Sequence, residues 1–198
     1  MRSFILIMEE FPEINRREID RGVMSQDAVT LADCVRSSLF TSRGVRKDTK
    51  VIVYPLGSKS RLIRIEGDKL RYMGPDERSV SILLSMSATR LATEGTGNEI
   101  SSPGITVVRK SESLAGLKGD SLVVFRSSEG SDQRAVRLGE NVACLCALDC
   151  ERGFGDIGDF LEVNGKSPIA VKTHAQIDKA ILIMNNELDR QYANERSK

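Results

Sequence analysis

Histidine occurs once in this chain, cysteine four times, and aromatic residues make up only 5% of it. The shortage of histidine and cysteine bears on metals. A structural zinc site takes four Cys or His ligands, often in paired short-spaced knuckles. The run "CLCALDCERGF" packs Cys144, Cys146 and Cys150 together, but only the distant Cys34 and His174 could complete a site. No metal is expected, and "NVACLCAL" reads instead as a buried strand, with Cys144 and Cys146 on one face and Ala143, Leu145 and Ala147 on the other. The shortage of aromatics, with no interleaving of basic and aromatic residues, leaves no single-strand-binding signature. Tyr54, Tyr72 and Tyr192 therefore read as core or surface residues.

An excess of charge of one sign is also missing. Lys+Arg 29 against Asp+Glu 28 leaves a net charge of +1, so no global field points to nucleic acid, although a local basic face is compatible with that total. No run approaches the roughly 18 apolar residues of a membrane span. The opening "MRSFILIMEE" meets acids too soon for a signal peptide and reads as a first buried strand, so a cytoplasmic protein with reduced thiols is expected. There is no internal repeat, no low-complexity tract, and neither GxGxxG nor GxxxxGK[ST].

What remains is an alternation of strand and helix signals. Residues 3–8 form the first strand, and Glu9 to Asp27 read as a long polar connection. Ala28, Leu31, Ala32, Val35, Leu39 and Phe40 recur at helical spacing, and Gly44 is expected to end that helix. "KVIVYPL" is a strand, and "RLIRIEGDKLRYM" reads as two short strands about a Gly-Asp turn. Asp76 caps a helix reaching about Thr93. "ATEGTGNEISSPG" reads as a linker. "ITVVRK", "SLVVFRSS", the cysteine segment and "SPIAV" are further strands, with short helices expected at 112–117 and 157–161. Thr173 and Gln176 suggest a capping box for a last helix with the stripe Ile177, Ala180, Ile181, Met184 and Leu188. The pattern implies an α/β fold with a mostly parallel sheet flanked by helices, in a single domain over 1–198 whose only internal boundary would fall near 94–104. Ligands of such sheets bind at loops following the carboxyl ends of strands, here "FRSSEG", "LDCERGFG" and the approach to "SPIAV".

Several segments taken together, "MRSFILI", "LADCVRSSLFTSRGVRKDTKVIVYPLG", "EGDKLRYMGPDERS", "SPGITVVRK" and "NNELDR", resemble the archaeal tRNA pseudouridine N1-methyltransferase family of the SPOUT superfamily. The resemblance covers most of the chain, and "DKLRYMGPDERS" is its most specific piece. It implies a SPOUT-type fold with a C-terminal trefoil knot in the region of about 121–198. It also implies a homodimer, S-adenosylmethionine as cofactor and tRNA as partner, with methylation at N1 of a T-loop pseudouridine. A paralogue that keeps the dimer and binds RNA without methyl transfer is the alternative.

The resemblance carries cofactor contacts onto Phe125 and Arg126, Leu148, Asp149 and Gly153, and Ser167, Pro168 and Ile169. Asp149 stands where the family has glycine, so it either bonds a ribose or blocks the adenosine. His174 and Ala175 fit the third loop, but the cysteine that follows in the family is absent. Arg36, Arg71 and Arg78 are candidate phosphate contacts, with solvated helix flanks as the plain alternative. Asp76 and His174 are candidate catalytic groups, because methylating N1 requires removal of its proton. Asp76 also reads as a helix cap, and His174 as a first-turn residue of the last helix.

Overall fold

The computed structural model describes residues 1–58, 60–93, 97–110, 121–126, 130–148, 168–173 and 175–195. The helices expected at 112–117 and 157–161, and the residues Asp149, Gly153, Ser167 and His174, lie outside the described residues. The region in which the knot is expected includes 149–167, which lie outside them as well. In chain order the described elements are β1 (Arg2–Met8), α1 (Arg16–Arg21), α2 (Gln26–Leu39), β2 (Phe40–Thr41), β3 (Gly44–Val45), β4 (Thr49–Pro55) and β5 (Arg61–Glu66). There follow α3 (Glu77–Leu91), β6 (Glu99–Ser102), β7 (Ile105–Arg109), β8 (Ser121–Arg126), β9 (Ser131–Asp132), β10 (Val142–Ala147), β11 (Ile169–Lys172) and α4 (Ile177–Glu195).

Nine of these strands form one sheet in the order β6-β7-β5-β4-β1-β10-β8-β11-β9. The pairings from β4 through β1, β10, β8 and β11 to β9 are parallel, and those joining β4, β5, β7 and β6 are antiparallel. β1 lies between two parallel neighbours and every one of its residues is buried, which is why "RSFILIM" is an unbroken apolar run after its first two residues. Period-two alternation divides the sheet into two faces. Phe4, Leu6, Val51, Val53, Val123, Cys144 and Cys146 join the cluster that includes the buried residues of all four described helices. Ile5, Ile7, Ile52, Val124, Ala143 and Leu145 form the cluster on the opposite face.

The helices follow their capping chemistry. Ser25 Oγ accepts from the Ala28 amide (3.3 Å) to start α2, and Asp76 accepts from the Ser79 amide (2.8 Å) to start α3. Ala180, Ile181, Met184 and Leu188 of α4 are fully buried, as their spacing predicts.

Several expectations need correction. The polar connection contains α1, because Asn15 accepts from the Arg17 amide and Ile19 anchors the helix in the core. α2 ends at Leu39, where Phe40 turns extended, and Gly44 belongs to the β2–β3 hairpin. "RLIRIEGDKLRYM" holds one strand rather than two. Part of the expected linker is the edge strand β6: Arg61, almost fully buried, donates to the carbonyls of Arg90, Thr93 and Gly97 and pairs with Glu99 (2.7 Å), which draws the segment onto the sheet. Thr173 Oγ1 accepts from the Ala175 amide (3.2 Å), and Gln176 bonds Lys179, so the capping box is replaced by a local turn.

Candidate functional site

The parallel block sends the carboxyl ends of β1, β4, β8, β10 and β11 to one edge. Phe125 and Arg126 end β8 there, and Leu148 follows β10, its amide donating to the Ile7 carbonyl (2.8 Å). β11 enters the sheet with Ile169 opposite Val123 and leaves it with Lys172 opposite Arg126. Pro168 and Ile169 therefore precede the edge, and its lining on β11 falls to Lys172 and Thr173. The Thr173 amide donates to the Arg126 carbonyl (2.8 Å), tying the ends of β8 and β11 together.

Beside Leu148, a cleft of about 440 Å³ opens between the ends of β1 and β10 and the first turn of α2. Glu9, Glu10, Glu13 and Asp27 line it together with Met8 and Leu148, and among the described residues no Lys or Arg does. Such a wall favours a cation over an anion. The loop carrying Glu9, Glu10 and Glu13 is held by the Gly57 amide on the Glu9 carbonyl (2.7 Å) and by Ser85 Oγ on the Ile14 carbonyl (2.7 Å). A larger groove of about 1020 Å³ lies on its other side, lined by Phe11, Pro12, Ser58, Ser60, Thr89 and Arg109. In the sequence these acids are indistinguishable from the rest of the polar connection from Glu9 to Asp27.

Asp76, Arg71 and Arg78 belong to the opposite, amino edge. β5 is antiparallel to β4, with Val53 opposite Ile63 and Lys50 opposite Glu66, so the chain leaves β5 at that edge. Gly67 donates to the Thr49 carbonyl (2.9 Å), and a Cβ there would collide with the Arg46 carbonyl oxygen. The Arg71 amide donates to the Pro103 carbonyl (3.2 Å). α3 then returns to the carboxyl edge, where the carbonyl of Arg90 meets Arg61 (3.0 Å). A strand of this length spans about 20 Å. One chain alone does not bring Asp76 to Phe125, Arg126 and Leu148.

The arginines differ in their engagements. Arg78 pairs with Asp20 (2.7 Å) and Arg36 with Asp33 (2.8 Å). Arg71 is exposed and donates to the neighbouring Leu70 carbonyl (2.8 Å). Asp76 is exposed, with Oδ1 occupied by the α3 cap. A Cβ on Gly74 would come within 2.6 Å of the other oxygen, Oδ2, so glycine leaves that oxygen its room.

The described cysteines take no part. Cys34, Cys144 and Cys146 are free and fully buried. Burial pushes the Cys144 thiol up to about 12 against the pull of Arg2, and pushes Cys34 and Cys146 well above the ordinary thiol range. Among the described residues, no group of three or more His, Cys, Asp or Glu is placed to hold a metal ion, and no helix is long and apolar enough to cross a membrane.

The two ends of the chain meet at a buried arginine. Arg2 donates to Asn185 Oδ1 (2.9 Å) and pairs with Asp48 (3.0 Å) and Asp189 (2.9 Å), and its guanidinium lies over Tyr192 at 5.5 Å. Arg46 grips Asp189 from the other side (2.7 Å). Asn185 in turn donates to the carbonyls of Ser37 and Ser38. "MRSFILI" and "NNELDR" are thus halves of one clamp joining β1 to α4.

A family model described as "Putative SAM-dependent RNA methyltransferase" matches residues 1–193. A tRNA (pseudouridine(54)-N(1))-methyltransferase of Methanocella arvoryzae is 26% identical over 197 residues, covering 96% of this chain and all of that protein. Proteins of the same name from Methanospirillum hungatei (30% identical, 81% of each chain) and Haloferax volcanii (31%, 71% of this chain and 72% of the other) are also similar. Among solved structures, Archaeoglobus fulgidus Nep1 bound to S-adenosylhomocysteine shares the fold, with a TM-score of 0.58 over 96% of this chain and 98% of that one at 15% identity.

Proposed function

The chain belongs to this family of SAM-dependent RNA methyltransferases, and from that premise we propose that it methylates N1 of pseudouridine 54 in tRNA, working as a homodimer. The relatives that match over most of their length carry that activity in their names. The observation in this chain that carries the reading is the convergence of Phe125, Arg126 and Leu148 on one edge of adjacent parallel strands, beside an acidic cleft.

Bound S-adenosylmethionine supplies a methyl group already activated by a positive sulfonium. The carboxylate-lined cleft beside Leu148 fits a ligand of that charge, and Phe125, Arg126 and Leu148 are the described residues proposed to hold it, with Lys172 and Thr173 in the place on β11 that the resemblance gave to Pro168 and Ile169. The protein has to place the N1 nitrogen in line and remove its proton. Asp76 is our candidate to accept that proton, and its position at the amino edge supports a role toward the cofactor loops of a second protomer. Arg36, Arg71 and Arg78 are proposed to hold phosphates, with His174 as a second candidate base.

The test is calorimetry with S-adenosylmethionine, followed by mass spectrometry of a tRNA transcript carrying pseudouridine at position 54 after incubation with protein and cofactor. A gain of one methyl on that nucleoside is expected. Absence of cofactor binding at concentrations far above micromolar would sink the reading. Binding of tRNA without cofactor would favour the non-catalytic paralogue that Asp149 suggests, and Asp149→Gly would then be expected to restore cofactor binding.

A further inference from the structure

Tyr72 exposes 84% of its surface, more than any other large apolar side chain among the described residues. It is also the one non-glycine residue among them with a positive φ, at 64°. That region is disfavoured for a bulky side chain, and such strain persists only where the surroundings over-determine it.

The surroundings do so here. Leu70 and Met73, on either side, are both buried in the core. Gly104 allows the hairpin between β6 and β7 to press on Leu70: a Cβ there would lie 2.5 Å from the Leu70 Cα. The Arg71 amide is held by the Pro103 carbonyl (3.2 Å), and the Gly74 amide by Ser79 Oγ (2.7 Å). Between two anchored points the chain bends at Tyr72, and the ring is turned out to solvent. Among the described residues no hydrogen bond, ion pair or ring contact engages it. The backbone sets the direction in which the side chain leaves the chain, so the ring projects into solvent before any partner binds.

An outward aromatic face beside an exposed guanidinium matches the two parts of an unpaired nucleotide. The ring stacks on the base and the cation meets the phosphate. We propose that Tyr72 is a stacking platform for an unpaired base of the RNA substrate, with Arg71 on the adjoining phosphate. The proposal rests on the RNA reading above and adds a substrate-positioning residue to it.

The chain contains no tryptophan, so Tyr72→Trp introduces a single indole at this site. Its fluorescence is expected to be quenched by an in vitro tRNA transcript and by oligouridine, and left unchanged by a blunt RNA duplex. Tyr72→Phe should keep tRNA affinity, whereas Tyr72→Asn should weaken it about ten-fold without lowering the thermal midpoint, since asparagine accepts a left-handed backbone. In the methyl-transfer assay the loss should fall on KM for tRNA and leave KM for S-adenosylmethionine unchanged. Binding of tRNA, seen by polarisation of a labelled transcript, without quenching overturns the stacking role and leaves the methyltransferase reading standing. Failure of the unaltered protein to bind any RNA removes both. An indole already shielded from acrylamide before RNA is added, together with a shift of Tyr72→Asn toward monomer, assigns the side chain to contact with a second copy and also overturns the proposal.

Discussion

Asp189 shows how charge holds the ends of this chain together. Partial burial raises its carboxyl, but hydrogen bonds from Arg46 and Arg2, and the charges of both, outweigh this and hold it below the usual carboxylate range. A folded-state value below the unfolded one stabilises the protein wherever the unfolded carboxyl is ionised, above about pH 4. That contribution is lost as pH falls through the folded-state value. Asp189→Asn should therefore cost about 1 kcal/mol at pH 7, a modest figure because the carboxylate is 44% exposed. The gap between variant and parent in urea denaturation should close below about pH 4. The cysteines give a second test at this scale. With the Cys144 thiol pushed up to about 12 by burial, and those of Cys34 and Cys146 well above the ordinary range, peptides containing these cysteines should stay unalkylated by iodoacetamide in the native protein and react once it is unfolded, as read by mass spectrometry.

At the scale of elements, the start of α3 carries two roles that substitutions can separate. Asp76→Ala removes the acceptor for the Ser79 amide and should lower stability by about 1 kcal/mol. Asp76→Asn keeps an N-capping oxygen and should leave the thermal midpoint nearly unchanged. If the carboxylate takes the N1 proton, Asp76→Asn should nonetheless slow methyl transfer by about a hundred-fold. A full-rate Asp76→Asn enzyme would leave the residue only its cap. The turn leaving β5 is less forgiving. Any Cβ at Gly67 meets the Arg46 carbonyl, a backbone atom that cannot rotate away. Gly67→Ala should therefore cost about 2–3 kcal/mol in chemical denaturation, shifting β5 against the Arg46–Thr49 segment.

At the scale of the whole molecule, the sheet separates the proposed base from the proposed cofactor loops by the length of a strand, and a symmetric dimer is the simplest way to reunite them. Asp76→Asn and Leu148→Arg should each inactivate the enzyme alone, with folding checked by thermal unfolding. Co-expressed, they should recover about a quarter of the parent activity, because half of the randomly mixed dimers would carry one intact site of two. No recovery would place Asp76 and the cofactor loops in separate duties.

Much of this architecture was legible in the order of residues because it rests on local periodicity. β1, α2, β10 and the buried stripe of α4 each declare themselves by apolar spacing, and Asp76 by capping chemistry. The residues passed over are those whose meaning depends on partners far along the chain. Arg2 is only a basic residue ahead of an apolar run until Asn185 and Asp189 arrive beside it. The segment 99–102 reads as a linker until Arg61 draws it onto the sheet. Tyr72 reads as an ordinary aromatic until the hairpin at Pro103–Gly104 forces the ring outward. Residue order alone marks β1, α2, α3, β10 and α4 as strand or helix, because backbone preference and hydrophobic period are local properties, whereas α1 and β6 rest on Ile19 and Arg61 meeting the core and the sheet. Which edge each functional group occupies was decided only by the tertiary structure, because strand order and direction arise from pairings between residues distant in the chain.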